Sequence, residues 1–126
     1  MNRFDLESVK ELFSGPGRTV EPWSDHDSRG IWDRYGVKIS TGNGWSFSAI
    51  WGYGSYCVNG RRDNPAPWSP DAEVMPGAPG IAWTPAVDYG AVAGNVSPER
   101  LGAALVAAER DDAYGVVYCL SSEVWS

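Results

Sequence analysis

Between Tyr35 and Val58 apolar and polar positions alternate with period two. Tyr35, Val37, Ile39 and Thr41 alternate with Gly36, Lys38 and Ser40, and Trp45, Phe47, Ala49 and Trp51 alternate with Ser46, Ser48 and Ile50. Alternation of this kind marks half-buried strands, because successive side chains leave a strand on opposite faces. The connection between the two runs is Gly42-Asn43-Gly44. A two-residue turn at Asn43-Gly44 would place Ile39 opposite Ser48 and mix the faces. A three-residue turn pairs Thr41 with Trp45, Ile39 with Phe47, Val37 with Ala49 and Tyr35 with Trp51, giving one coherent apolar face. A one-residue slip turns every side chain over, so the pattern selects the second register and predicts a left-handed Gly44. Tyr53, Ser55 and Cys57 stay in phase with the apolar face. One strand over 45–58 would be unusually long, so Gly52 and Gly54 mark a bulge or bend. The expectation is a strand at 45–51 and a short strand around 55–58.

Two segments carry helical spacing. Over Phe4 to Ser14, residues Phe4, Val9, Leu12 and Phe13 can share a face, and Gly15-Pro16-Gly17 stops the helix. Ser97 is an N-cap candidate with Pro98 at the first helical position and Glu99 beside the positive end of the helix dipole. Leu101, Ala104, Leu105 and Ala108 form its buried stripe, and Arg110 falls in its last turn. Asp71 to Met75 and Gly80 to Thr84 read as short strands around Pro76-Gly77-Ala78-Pro79. Val87 to Val96 reads as another, interrupted by Gly90 and Gly94. Tyr114 to Leu120 reads as a strand buried on both faces. Residues 18–34 lack periodicity: Ser24 to Gly30 is a polar loop, with Trp23, Ile31 and Trp32 as anchors. Residues 59–70 form a Pro-rich loop. The sum is a single α+β domain over 1–126, a mostly antiparallel sheet with two helices packed on one face.

Composition narrows the functional classes. The chain has 126 residues, enough for one domain with its own core. Lys and Arg number 10 against 16 Asp and Glu, a net charge of -6. Phosphate binding needs clustered cations, and Arg61-Arg62 is the one adjacent basic pair, so nucleic acid is not an expected partner. The acidic balance suits a partner with a basic surface. No apolar run approaches the ~20 residues of a membrane span, and Asp5 and Glu7 stand where a secretory signal would turn apolar. Cytoplasmic residence follows as the expectation. There Cys57 and Cys119 read as buried thiols.

Candidate chemistry is sparse. Asp25, His26, Asp27 and Asp33 overlap a calcium loop, but its fifth and twelfth positions hold Arg29 and Gly36, which lack the oxygen ligands required. His26 is the one histidine, so a nucleophilic pair would be Cys57 with His26, and Cys57 extends an apolar alternation instead. Glu73 and Asp88 are the carboxylates nearest the strand candidates for acid–base work. Gly52-Tyr53-Gly54 lacks the third glycine and helix of a phosphate cradle, and there is no CxxC pair, so no metal or cofactor is expected. The aromatic residues remain. There are 7 Trp. Trp45 and Trp51 belong to the apolar face of the hairpin and read as structural. Tyr53, Tyr56 and Trp68 lie close in sequence to Arg61 and Arg62. Large amphipathic anchors beside bidentate cations are what protein interfaces favour, so these five are the candidate partner-binding residues.

The run Gly44-Trp-Ser-Phe-Ser-Ala-Ile-Trp-Gly-Tyr-Gly-Ser-Tyr-Cys-Val-Asn59 resembles a segment of small, mostly uncharacterised proteins encoded by phages of actinobacteria. So do Ser69-Pro-Asp-Ala-Glu-Val74 and Val96-Ser-Pro-Glu-Arg-Leu101. The likeness spans roughly residues 35–108, and Pro76 to Gly80 departs from it. It implies an accessory protein of phage or prophage type that binds a host or phage protein; the family offers no catalytic residues to carry over. The expectation is a non-enzymatic binding protein that inhibits or modulates a host or defence factor. The alternatives are an immunity protein neutralising a toxin, a small carboxylate-dependent hydrolase, and a module stacking a sugar or base on Trp. An inhibitor would show an exposed aromatic patch with an acidic rim, an enzyme a pocket of converging carboxylates, and a ligand module parallel exposed rings beside a groove.

Overall fold

The computed structural model describes residues 2–26, 28, 33–55, 57, 67–77 and 93–121. Their order is α1 (Val9–Phe13), β1 (Thr19–Asp25), β2 (Arg34–Ser40), β3 (Ser46–Gly52), β4 (Ala72–Gly77), β5 (Ala93–Val96), α2 (Pro98–Glu109) and α3 (Ala113–Leu120). The five strands form one antiparallel sheet in sequence order, so the chain is α+β as the alternation implied.

The central hairpin has the register selected by its faces. Tyr35 opposes Trp51, Val37 opposes Ala49 and Ile39 opposes Phe47. Thr41 N donates to Trp45 O at 2.8 Å and Gly44 N to Thr41 O at 3.3 Å, with Gly44 at φ 96°. The Thr41 hydroxyl also accepts from Trp45 N at 3.1 Å, which closes the turn from inside. The inner face of β2 and β3 (Val37, Ile39, Phe47, Ala49, Trp51) is buried, with Trp45 beside the turn.

Four expectations need correction. Tyr114 to Leu120 is not a strand but lies within α3. Asp112 caps the helix by accepting from Gly115 N at 3.0 Å, and only Val116 and Leu120, one turn apart, are buried. Period-two and period-four spacing share these two positions, so the sequence pattern does not separate them; the cap and the docking surface of α2 do. Residues 19–25, read as aperiodic and with Ser24 and Asp25 in a polar loop, are a strand, hidden by Pro22 and by burial that is only partial at Val20, Pro22 and Trp23. The N-terminal helix is short. Asp5 closes a turn by accepting from Ser8 N at 2.7 Å and from the Ser8 hydroxyl at 3.0 Å, and α-helix begins at Val9. Beyond Gly52 the chain turns: Ser55 N donates to Gly52 O at 3.2 Å and Cys57 N to Ser55 O at 2.9 Å. Neither Ser55 nor Cys57 therefore resumes the strand expected around 55–58, whose residues 56 and 58 lie outside the described residues. The expected strand at 80–84 lies outside the described residues. β4 and α2 follow expectation, including the Ser97 cap, which accepts from Arg100 N at 3.2 Å.

The helices cover the apolar face. Phe4 packs on Phe13 and on Trp51, with ring centroids 6.1 and 5.5 Å apart. The C-terminal end of α2 is tied to the hairpin tip: Asn43 Nδ2 donates to Ala108 O at 2.8 Å, and Trp45 Nε1 donates to Asp111 Oδ1 at 3.0 Å. Arg18 clasps Glu109 with two charge-assisted bonds of 2.9 and 2.6 Å. Helix α3 packs on α2, and its Val116 and Leu120 join the same core.

Candidate functional site

Of the five residues expected at a partner surface, Tyr56, Arg61 and Arg62 lie outside the described residues. Trp68 is 40% exposed, and the Arg3 guanidinium stands 4.8 Å from its ring centroid while pairing with Asp5 at 3.3 Å. A hollow of about 320 Å³ opens beside this stack, between Leu6, Glu7 and Pro67. Tyr53 is half-buried in the turn after β3, where its amide donates to Asp33 O at 3.1 Å. Trp45 and Trp51 are buried, as their phase in the hairpin requires. Trp51 Nε1 donates to Pro67 O at 3.0 Å, so each indole has a polar partner.

The other candidates are dispersed. His26 Nδ1 lies 3.3 Å from Asp33 Oδ1, a charge pair when the imidazole is protonated. Asp27, the third member of the calcium-like loop, is outside the described residues. Among the described residues no three of His, Cys, Asp and Glu gather as a metal-holding group. Glu73 projects from β4 opposite Ile50 on the outer face of the sheet, and Asp88 is outside the described residues. Cys57 and Cys119 are not joined in a disulfide and are half-buried; burial and the charge of Asp112 push the Cys119 thiol above its ordinary pKa. Both factors favour the unreactive thiol.

The outer sheet face forms a shallow hollow of about 460 Å³. Trp23 lies flat over Gly36, where a methyl group would sit 2.4 Å from the indole. Lys38, Ser46 and Ser48 form the floor beyond it, and Met75, 49% exposed, forms the opposite wall. Among the described residues one indole flanks this hollow, not a pair of parallel rings.

The largest exposed aromatic surface among the described residues is on α3. Tyr114 is 91% exposed and Tyr118, one turn later, 59% exposed. The helix carries no charged side chain, and Val117 and Cys119 are half-buried. Its approach to α2 depends on small residues. A Cβ on Gly115 would lie 3.0 Å from Ala107 Cβ and 2.4 Å from Asp112 Oδ2. Val106 on α2 is also exposed. The flanking residues are mainly acidic: Asp111 and Asp112 precede α3 and Glu99 is exposed on α2, whereas Glu109 is already paired with Arg18 and Arg110 is an exposed cation. The hydrogen bonds from Arg18, stronger than the opposing effect of burial, hold the Glu109 carboxyl below its ordinary pKa, so it remains an anion.

Sequence reasoning missed this surface because it placed both tyrosines in a core strand. The available signal was Asp112, three residues before a glycine amide, which is the same capping logic that identified Ser97. No family model matches the chain, and no curated protein or solved structure matches it significantly.

Proposed function

We propose that the chain is a non-enzymatic binding protein that docks the basic surface of a partner protein through α3. In line with the phage-type resemblance, its role is to inhibit or modulate a host or phage factor. The observation that carries this reading is the pair Tyr114 and Tyr118, exposed on a helix without charge that follows Asp111 and Asp112. Tyrosine is a common interface anchor because it offers a rigid amphipathic ring at low entropic cost. Trp68 supports the reading less, since Arg3 already stacks on its indole. The carboxylates of Asp111 and Asp112 just before the helix and the net charge of -6 supply complementarity to a cationic patch. An immunity protein that neutralises a basic toxin is a special case of the same reading.

The test compares tagged wild type with a Tyr114→Ala/Tyr118→Ala variant. A protein recovered by wild type from host lysate is purified and titrated against both. The double variant should bind at least about tenfold more weakly, since two interface tyrosines are removed. Wild-type binding should also weaken as salt rises. Equal affinity for wild type and double variant would remove α3 from the interface.

A further inference from the structure

Helix α3 has eight residues, of which Val116 and Leu120 are buried. An isolated helix of that length does not persist in water, so its position depends on what holds its ends. Asp112 holds the N-terminal end. The C-terminal end rests on a buried arginine of another helix. Arg100 is the third residue of α2, and its guanidinium points at backbone carbonyls. Nε donates to Cys119 O at 3.2 Å, Nη2 donates to Leu120 O, and Nη1 donates to Asn95 O at 2.9 Å. The first two acceptors lie in the last turn of α3, where unsatisfied carbonyls and the negative end of the dipole favour a cation. The third belongs to Asn95, within β5 and with φ 53°.

We propose that Arg100 is the positioning residue of the α3 surface: it clips the C-terminal turn of α3 to the start of α2 and so fixes Tyr114 and Tyr118 for contact. The clip stands on hydrogen-bond geometry alone; its service to a partner rests on the reading above. A methionine here fills similar volume and donates nothing, which frees the last turn of α3. A lysine can satisfy part of the carbonyl set but lacks the planar fork that reaches three acceptors at once.

Hydrogen exchange resolved by residue tests the clip, with β2 and β3 as the internal reference. In Arg100→Met, protection of the amides from Val116 to Ser121 should fall at least about tenfold relative to Val37, Ile39 and Phe47, the size of losing charge-assisted hydrogen bonds locally. Arg100→Lys should restore part of the loss, and it decides the question if Arg100→Met does not fold. Unchanged protection of α3, or an equal fall in α3 and the sheet, would overturn the clip. If α3 is released and the purified partner still binds with wild-type affinity, the clip stands and the contact role of α3 fails.

Discussion

At Gly52 the backbone has φ 102°, and a methyl group there would lie 2.7 Å from Asp33 O. Gly52→Ala should therefore cost about 2–3 kcal/mol, checked by urea denaturation, because the clash is with backbone that cannot step aside. Gly36 makes an instructive contrast. Its obstacle is the Trp23 ring at the sheet edge, so Gly36→Ala should displace the Trp23 indole N–H resonance at a smaller cost of about 1 kcal/mol. The Arg18–Glu109 clasp links charge to stability. Glu109 is held below its ordinary carboxylate range, so its contribution is present at neutral pH and lost as pH falls through its folded-state pKa. Arg18→Ala should lower stability by about 1 kcal/mol at pH 7, and the difference should shrink in acid to the part owed to the Arg18 Nη1 bond to Phe13 O. At this scale the sequence is informative where a residue repeats a pattern. Trp45 and Trp51 were placed by their phase in the hairpin. Arg100 was not, although it lies on the same helical stripe as Ala104 and Ala108, because the carbonyls it serves belong to a helix that the pattern did not identify.

Elements were legible in proportion to how much of their stability is local. The β2–β3 hairpin carries its register in its own faces and its turn in its own glycines. Helix α2 announces its start with Ser97-Pro98-Glu99, and Ser97→Ala should destabilise the fold by about 1 kcal/mol in thermal or urea unfolding. Helix α3 is the opposite case. Val116, Val117 and the tyrosines favour extended chain in isolation, and the helix exists because Asp112, Gly115 and α2 accept it. Asp112→Ala should remove the cap and increase amide exchange at Gly115 and Val116, with little effect on β3. Strand β1 was hidden for a related reason: an edge strand with Pro22 at its centre lacks the continuous alternation by which the others were found.

The whole molecule explains that proline. Thr41 donates to Trp45 across the hairpin, so the Ile39–Phe47 and Val37–Ala49 pairs of the same phase also exchange hydrogen bonds. Val37 thus directs its backbone groups to β3, and its pairing with Pro22 on the other side is of the non-bonded kind. The missing N–H of Pro22 consequently faces outward, on an edge with no further strand among the described residues. Proline there removes a donor that a second chain could use, a recognised guard against edge-to-edge association. Pro22→Val should keep the fold and increase self-association with concentration, measured by light scattering; unchanged monodispersity would deny Pro22 that role.

The amino-acid order alone determined the α+β class, the register of the central hairpin, the second helix and the burial of two tryptophans. In each case the deciding interactions join residues near in sequence or repeat with the period of the element. Tertiary structure decided what the last described segment becomes, and with it where the exposed aromatic surface lies. Tyr114 and Tyr118 are compatible with a buried strand and with an open helix. The choice was made by a local cap together with a glycine that admits α2 and an arginine that meets the final carbonyls, and the last two are contacts brought together only by folding.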